Sequence, residues 1–240
     1  MGAEGDDGAW TLWEQIAAGR PGFGRPEVFI GHPSQSRWLS FTATLRDPAF
    51  LHLVRDLTGN VPGEGGLVTF PDSAWLMSLV VPHQPHFLGQ PEGISVFWGY
   101  ALAMDRPGDF VGKPVHACTG QEIMTELLGH LHIRAEAAAI LGACTCIPCM
   151  MPFITSQFMP RERGDRPPVL PPGTRNLAFI GQFVEVPDDV VFTVEYSIRS
   201  AQVAAYGLLG LTQAVPAVYQ GKLDPRVLLK AFRALHDMRA

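Results

Sequence analysis

Residues 190–211 of this 240-residue chain carry apolar side chains on nearly every helical face, with Glu195 and Arg199 as the only charges. A helix that is apolar all round has to be buried, so this stretch predicts a helix enclosed by other elements. Glu195 and Arg199 stand four apart with the acid first, the favourable order for a helical pair. Just upstream, residues 176–181 (NLAFIG) form a short apolar run ending in glycine, which reads as a buried strand entering a loop. Between the two lies the polar, turn-rich stretch 182–189 (QFVEVPDD). Two readings of this strand, loop and helix stay open: a plain connection, or a loop facing a ligand. The second rests on the crevice beyond the carboxyl end of a strand in α/β proteins, where a helix N-terminus attracts anions.

The remaining composition narrows the possibilities. A net charge of −5 and the lack of a basic stripe argue against nucleic acid as a partner. Hydrophobic residues make up 47% and charged residues only 17%, which implies large buried interfaces with something outside these residues. No uncharged apolar run approaches the roughly 18 residues of a membrane span. The first residues have no basic and apolar leader pattern, and four cysteines without one read as free thiols. The expectation is a cytoplasmic protein.

Along the chain, residues 1–9 are small and acidic and read as a disordered tail. Residues 9–18 suit a short amphipathic helix. Residues 38–45 (WLSFTATL) read as a strand, and Asp47-Pro48 opens a helix through Leu57. Residues 58–66 are a glycine loop without the spacing of a phosphate-binding turn. Residues 67–70, 75–81 and 94–102 look like three more strands in an antiparallel meander. Thr119 and Glu122 match a capping box for a helix running to about Gly142. A last helix, from Pro225 to Met238, carries a stripe of Val227, Leu228, Ala231, Phe232 and Leu235 with Lys230 and Arg233 opposite, suited to a partner domain or a membrane surface.

Three clusters invite chemical readings. His83 and His86 lie between prolines with no cysteine or carboxylate nearby, so they read as solvated loop residues. His130 and His132 are two apart on a helix and cannot face one ligand together. Cys144, Cys146 and Cys149 form a C-x-C-x-x-C run, a metal or redox spacing set in apolar flanks that equally suit buried structural thiols. Thr155, Ser156 and Gln157 interrupt an apolar segment, so they either pack against backbone or line a ligand pocket.

Residues 38–42 (WLSFT), 65–70 (GGLVTF), 72–76 (DSAWL), 84–87 (QPHF), 118–123 (CTGQEI), 146–161 (CIPCMMPFITSQFMPR), 176–185 (NLAFIGQFVE) and 192–200 (FTVEYSIRS) resemble the carboxyl-terminal part of the oleate hydratase family, the myosin-cross-reactive antigens. The resemblance runs from about Trp10 to the last helix. It implies an α/β (α+β) fold, part of a glutathione-reductase-like FAD fold with antiparallel substrate-domain strands and a helical C-terminal tail. The implied division is 10–117 for the substrate-domain portion, mostly strands, 118–212 for the C-terminal part of the FAD-binding domain, and 213–240 for the tail.

The implied activity is hydration of the cis double bond of an unsaturated, oleate-like fatty acid to a hydroxy fatty acid, with FAD in no net redox role. Gly181, Gln182, Phe183, Val184, Glu185 and Thr193 would then lie beside the flavin, and Thr155, Ser156 and Gln157 near its ring or the substrate channel. Strands around Trp75 and Trp98 would wall the acyl chain, and the tail would meet membrane lipid. The family's G-x-G-x-x-G unit and its catalytic glutamate and tyrosine have no counterpart among these 240 residues, so no catalytic residue and no metal ligand is assigned. Ala74 stands where the family often has asparagine. The readings are therefore a hydratase portion that needs a missing N-terminal FAD domain or a dimer partner, a non-catalytic fatty-acid-binding or membrane-associated module, or a relic whose strand at 176–181 leaves an unpaired sheet edge.

Overall fold

The computed structural model describes residues 9–64 and 67–237, leaving the acidic tail outside the described residues. It is a mixed α/β structure with one antiparallel five-stranded sheet and eight α-helices among the described residues. The chain divides into two compact units, residues 32–156 and residues 1–31 with 157–240. Residues 118–156, which the sequence assigned to the flavin side, belong to the first of these.

The first unit is built on β1 (Trp38–Leu45), β2 (Leu67–Thr69), β3 (Met77–Val80), β4 (Ser95–Ala101) and β5 (Cys144–Met151), in the order β2-β3-β4-β1-β5. β2, β3 and β4 form the expected meander. β1 alternates strictly, sending Leu39, Phe41, Ala43 and Leu45 into the core. That core is closed by α4 (Ala49–Thr58), α5 (Gly120–His130) and α6 (Ala137–Ala143). Phe50 of α4 stacks on Phe97 of β4 with centroids 4.6 Å apart, adding pair geometry to the area they bury. The Asp47 carboxylate accepts the Ala49 amide at 2.7 Å and so helps start α4. The Thr119–Glu122 capping box starts α5 as expected.

The single helix read over 119–142 is two helices. α5 stops at His130, and His132 takes a positive φ of 57° before α6 begins. The cysteine run is the edge strand β5, which the sequence did not suggest. Pro148 is tolerated there because one side of an edge strand needs no ladder hydrogen bond.

Trp75 is fully buried in the core, and its indole N–H donates to the Arg106 carbonyl at 3.0 Å. Trp98, by contrast, lies half-buried on the opposite sheet face. On that face Trp38 stacks on Tyr100, diagonal across β1 and β4, at 4.5 Å. His86 leans on Trp98 at 5.3 Å, and its loop is pinned by Gln84 and Gln90.

The second unit contains α1 (Ala9–Ala17), the short α2 (Glu27–Ile30), α7 (Val194–Leu209) and α8 (Pro225–Asp237); α3 (Pro33–Ser36) is the remaining short helix of the first unit. Its core is small: Val169, Val184, Val186, Tyr196 and Ala204. Two expectations fail here. Residues 176–180 form no strand: the Phe179 amide donates to the Val169 carbonyl at 2.9 Å, but this single bond does not extend into a ladder, and an isolated bridge, Pro168 to Glu185, forms beside the loop. α7 is not enclosed: it buries only Tyr196, Ser200 and Ala204, spaced by four, while Val194 is 70% and Leu209 71% exposed.

Candidate functional site

The polar loop between residue 181 and α7 is organised by one side chain of that helix. Thr193 caps α7, its hydroxyl accepting the Tyr196 amide at 3.2 Å. This starts the helix so that Tyr196, in its first turn, points back under the loop. There the buried phenol donates to the Val184 carbonyl at 2.6 Å and accepts the Val186 amide at 3.1 Å. Burial raises its pKa above the ordinary tyrosine value, more than neighbouring arginines lower it, so it stays a protonated donor. The Glu185 amide is held by the Pro167 carbonyl at 2.8 Å, and the Gly181 amide by Ser200 Oγ at 2.9 Å. Gly181 sits at φ 99°, a conformation that glycine adopts without strain.

Arg166 is the second organiser. It is 3% exposed, and its guanidinium donates to the carbonyls of Gln182 and Gln157, the latter at 2.6 Å. It also lies over the Phe29 ring at 5.3 Å. Burial is the main reason that its pKa falls below the usual arginine value. The adjacent Asp165 accepts from Arg25 Nε at 2.5 Å and from the Glu162 amide at 2.7 Å, fixing the 161–166 loop. The sequence reading missed Arg166, Tyr196 and Ser200. A lone arginine inside a charged, proline-rich loop carries no local sign that it is buried, although a tyrosine at the third helical position could have been flagged as a loop anchor.

Phe183 packs between Trp13 and Phe29, at 6.3 and 5.6 Å. Together with Val184, Phe179, Ile180 and Trp13 it lines an apolar groove of about 360 Å³. Gln182, Phe183, Val184 and Glu185, with Gly181 and Thr193, thus belong to one loop-and-helix constellation, and Gln157 reaches it through its carbonyl. In the other unit, the Thr155 hydroxyl donates to the Ser36 carbonyl at 3.0 Å and the Ser156 hydroxyl to Phe153 at 2.7 Å. Of the two readings of these hydroxyls, the structure has the backbone-packed one.

The cysteines of β5 do not converge on a metal. Cys144 and Cys146 face the core and Cys149 faces the other way, as strand alternation requires. Burial pushes the Cys144 thiol up to about 11 and that of Cys146 to about 12, which keeps them protonated and unreactive.

These features define a protein of mixed α/β class with an antiparallel sheet unit and a separate polar loop leading into a helix N-terminus beside an apolar groove. Residues 1–206 match the MCRA family, and the chain belongs to that family. It is 43% identical over 243 residues to an oleate hydratase of Streptococcus pyogenes serotype M49, covering 97% of this chain and 41% of that protein. It is 34% identical over 247 residues to a linoleate hydratase of Lactiplantibacillus plantarum, covering 95% of this chain and 43% of that one. The chain thus spans about two-fifths of the length of the relatives it matches.

Proposed function

We propose that this chain is the carboxyl-side portion of an FAD-dependent fatty-acid hydratase, which adds water to the cis double bond of an unsaturated fatty acid to give a hydroxy fatty acid. The observation that carries this reading is the 43% identity to an oleate hydratase across 97% of the chain. Protonating an alkene and delivering water needs positioned acid and base groups. The buried Tyr196 phenol of the loop constellation supplies neither, because it is already committed to two backbone groups. On this reading those groups, and a glutathione-reductase-like dinucleotide fold, would come from outside the matched region.

The residues present do not fit a whole dinucleotide. A pyrophosphate needs a cluster of free amides at a glycine-rich turn, yet the amides of Gly181, Glu185 and Val186 are already engaged. The groove beside Phe183 suits a flat or linear apolar group instead, and each methylene buried there would contribute about 0.8 kcal/mol.

A second reading, a non-catalytic lipid-binding or membrane-peripheral module, is favoured by α8. Its Val227, Leu228, Phe232 and Leu235 are exposed, and Arg226, Lys230 and Arg233 accompany them. No described helix is long and apolar enough to cross a membrane.

Three assays separate the readings: FAD binding, product formation and binding to oleate-containing vesicles. FAD binding is followed by flavin absorbance and tryptophan quenching, and hydroxystearate is measured after incubation with oleate. The hydratase-portion reading expects little or no hydroxystearate from the chain alone, and product once the complementary part of an oleate hydratase is added. Absence of product in the complemented mixture, together with saturable binding to oleate-containing vesicles, supports the lipid-binding module instead.

A further inference from the structure

We propose that Asp109, Glu126 and His130 form a divalent transition-metal site in the sheet-bearing unit, independent of the loop constellation above. Glu126 and His130 are four apart on α5 and therefore share a face. The Glu126 carboxylate is completely buried and accepts three successive amides, those of Asp109, Phe110 and Val111, at 2.6, 2.9 and 2.8 Å. The loop can wrap this closely because residue 108 is glycine: a Cβ there would stand 2.7 Å from Glu126 Oε2 and 2.8 Å from the Trp75 ring. The turn brings Asp109 alongside, its Oδ2 also accepting the Ala74 amide at 2.8 Å.

His130 closes the group. Its side chain is 12% exposed, and its Nε2 lies 3.3 Å from Glu126 Oε1 and 3.3 Å from Asp109 Oδ2. That nitrogen is shut off from solvent yet makes no hydrogen bond. The ring is held between Phe70 and Phe110, at 5.7 and 5.1 Å, so it cannot swing towards another partner without breaking those contacts. The three donor atoms all lie within 4.8 Å of one another.

A buried carboxylate, a second carboxylate and a ring nitrogen without a hydrogen bond converge here, an arrangement that a positive charge among them would stabilise. A proton or a divalent cation could supply it, and the spacing favours the cation. A charge-assisted N–H···O bond closes to about 2.7–2.9 Å, shorter than either separation here. Donors bonded to a tetrahedral zinc-like ion at about 2.0–2.2 Å stand about 3.3–3.5 Å apart, close to the observed spacing. One imidazole and two carboxylates suit zinc, cobalt or manganese. The half-exposed Asp109 leaves a side from which an ion and a fourth, water ligand can enter.

The test titrates Co²⁺ into the full chain after it has been stripped with a chelator, with Zn²⁺ as competitor. The visible bands of tetrahedral cobalt report the site. The expected result is saturation at one ion per chain, without the thiolate charge-transfer band that a cysteine site would give. His130→Gln should weaken binding by more than about tenfold. Asp109→Asn should do the same while keeping an acceptor for the Ala74 amide, so it tests the ligand without removing that support. Both variants should retain the wild-type circular dichroism. Added Zn²⁺ should raise the melting midpoint of the wild type but not of the variants. Absence of saturable binding, a thiolate band, or unchanged affinity in a folded Asp109→Asn protein would each overturn the proposal.

Discussion

Tyr196→Phe removes one oxygen from the centre of the loop constellation. Its cost follows from what that oxygen holds. The Val184 carbonyl loses a donor at 2.6 Å and the Val186 amide loses an acceptor at 3.1 Å, both in the core of the smaller cluster. A neutral hydrogen bond contributes about 1 kcal/mol net, and a buried amide left unpaired costs about 1–3 kcal/mol, so the loop should open about 2–3 kcal/mol more easily. That corresponds to roughly 30- to 150-fold faster exchange of the Val186 amide, provided that it exchanges through local opening. Hydrogen exchange resolved to this segment reads the effect directly, and urea unfolding of the same unit gives an independent figure. The pH dependence has a definite sign. Burial raises the folded phenol's pKa, so its contribution is complete below the unfolded phenol's titration near pH 10 and fades as the pH rises through the higher folded value. The phenylalanine variant should lack that alkaline limb. A change in Val186 exchange of less than about threefold, with an unaltered urea midpoint, would refute the reasoning and place water where the hydroxyl was.

Three further outcomes follow from the geometry. The Glu122 carboxylate, held by the Lys113 ammonium at 2.6 Å and by the Thr119 amide, is drawn down to about 2. Its stabilisation is therefore present above the usual carboxylate range and lost as the pH falls towards 2, and Glu122→Gln should flatten that acid limb of the melting midpoint. Thiol reagents at mildly alkaline pH should modify the exposed Cys149 first, with Cys144 and Cys146 reacting only after denaturant is added; peptide mapping of the labelled cysteines checks the order. Gly99→Ala would place a Cβ 2.3 Å from the Phe41 ring and 2.6 Å from the Ser78 carbonyl, so it should destabilise the sheet unit by about 1–3 kcal/mol or more in urea unfolding.

What was legible in the sequence was what local chemistry dictates. The alternation in residues 38–45 and the Thr119–Glu122 capping box are contained in short windows, and both appear as read. The cysteine run was illegible as a strand because its proline and its metal-like spacing both point elsewhere; only its place at the sheet edge, set by pairing with β1 far away in sequence, explains it. The break after His130 was missed although Gly129, His130 and His132 are poorer helix formers, because apolar positions such as Leu127, Leu131 and Ile140 continue on both sides of it. The loop residues Gly181 to Glu185 were recognisable as a unit, but the groups that hold them, Arg166 and Tyr196, were not, since burial of a single polar side chain is a tertiary fact.

The two failures around residues 176–211 share one physical cause. A strand exists only where a neighbour takes its amides and carbonyls, and an all-apolar helix is enclosed only where other elements cover each face. The sequence states both requirements clearly, yet the described residues meet neither. Residues 176–180 find no ladder, and α7 covers only the stripe of Tyr196, Ser200 and Ala204. On the hydratase-portion reading proposed above, those apolar positions would be contact surface for the rest of a longer enzyme. The relatives are more than twice as long as the region they share with it. On that reading, complementation with the remaining part of an oleate hydratase should protect the amides of residues 176–178 and 180 from exchange, beside the already bonded Phe179 amide, and reduce solvent labelling at Val194→Cys, a position 70% exposed in the chain alone. If labelling at that position is unchanged while complemented activity appears, the added part docks elsewhere and the apolar face of α7 needs a different explanation.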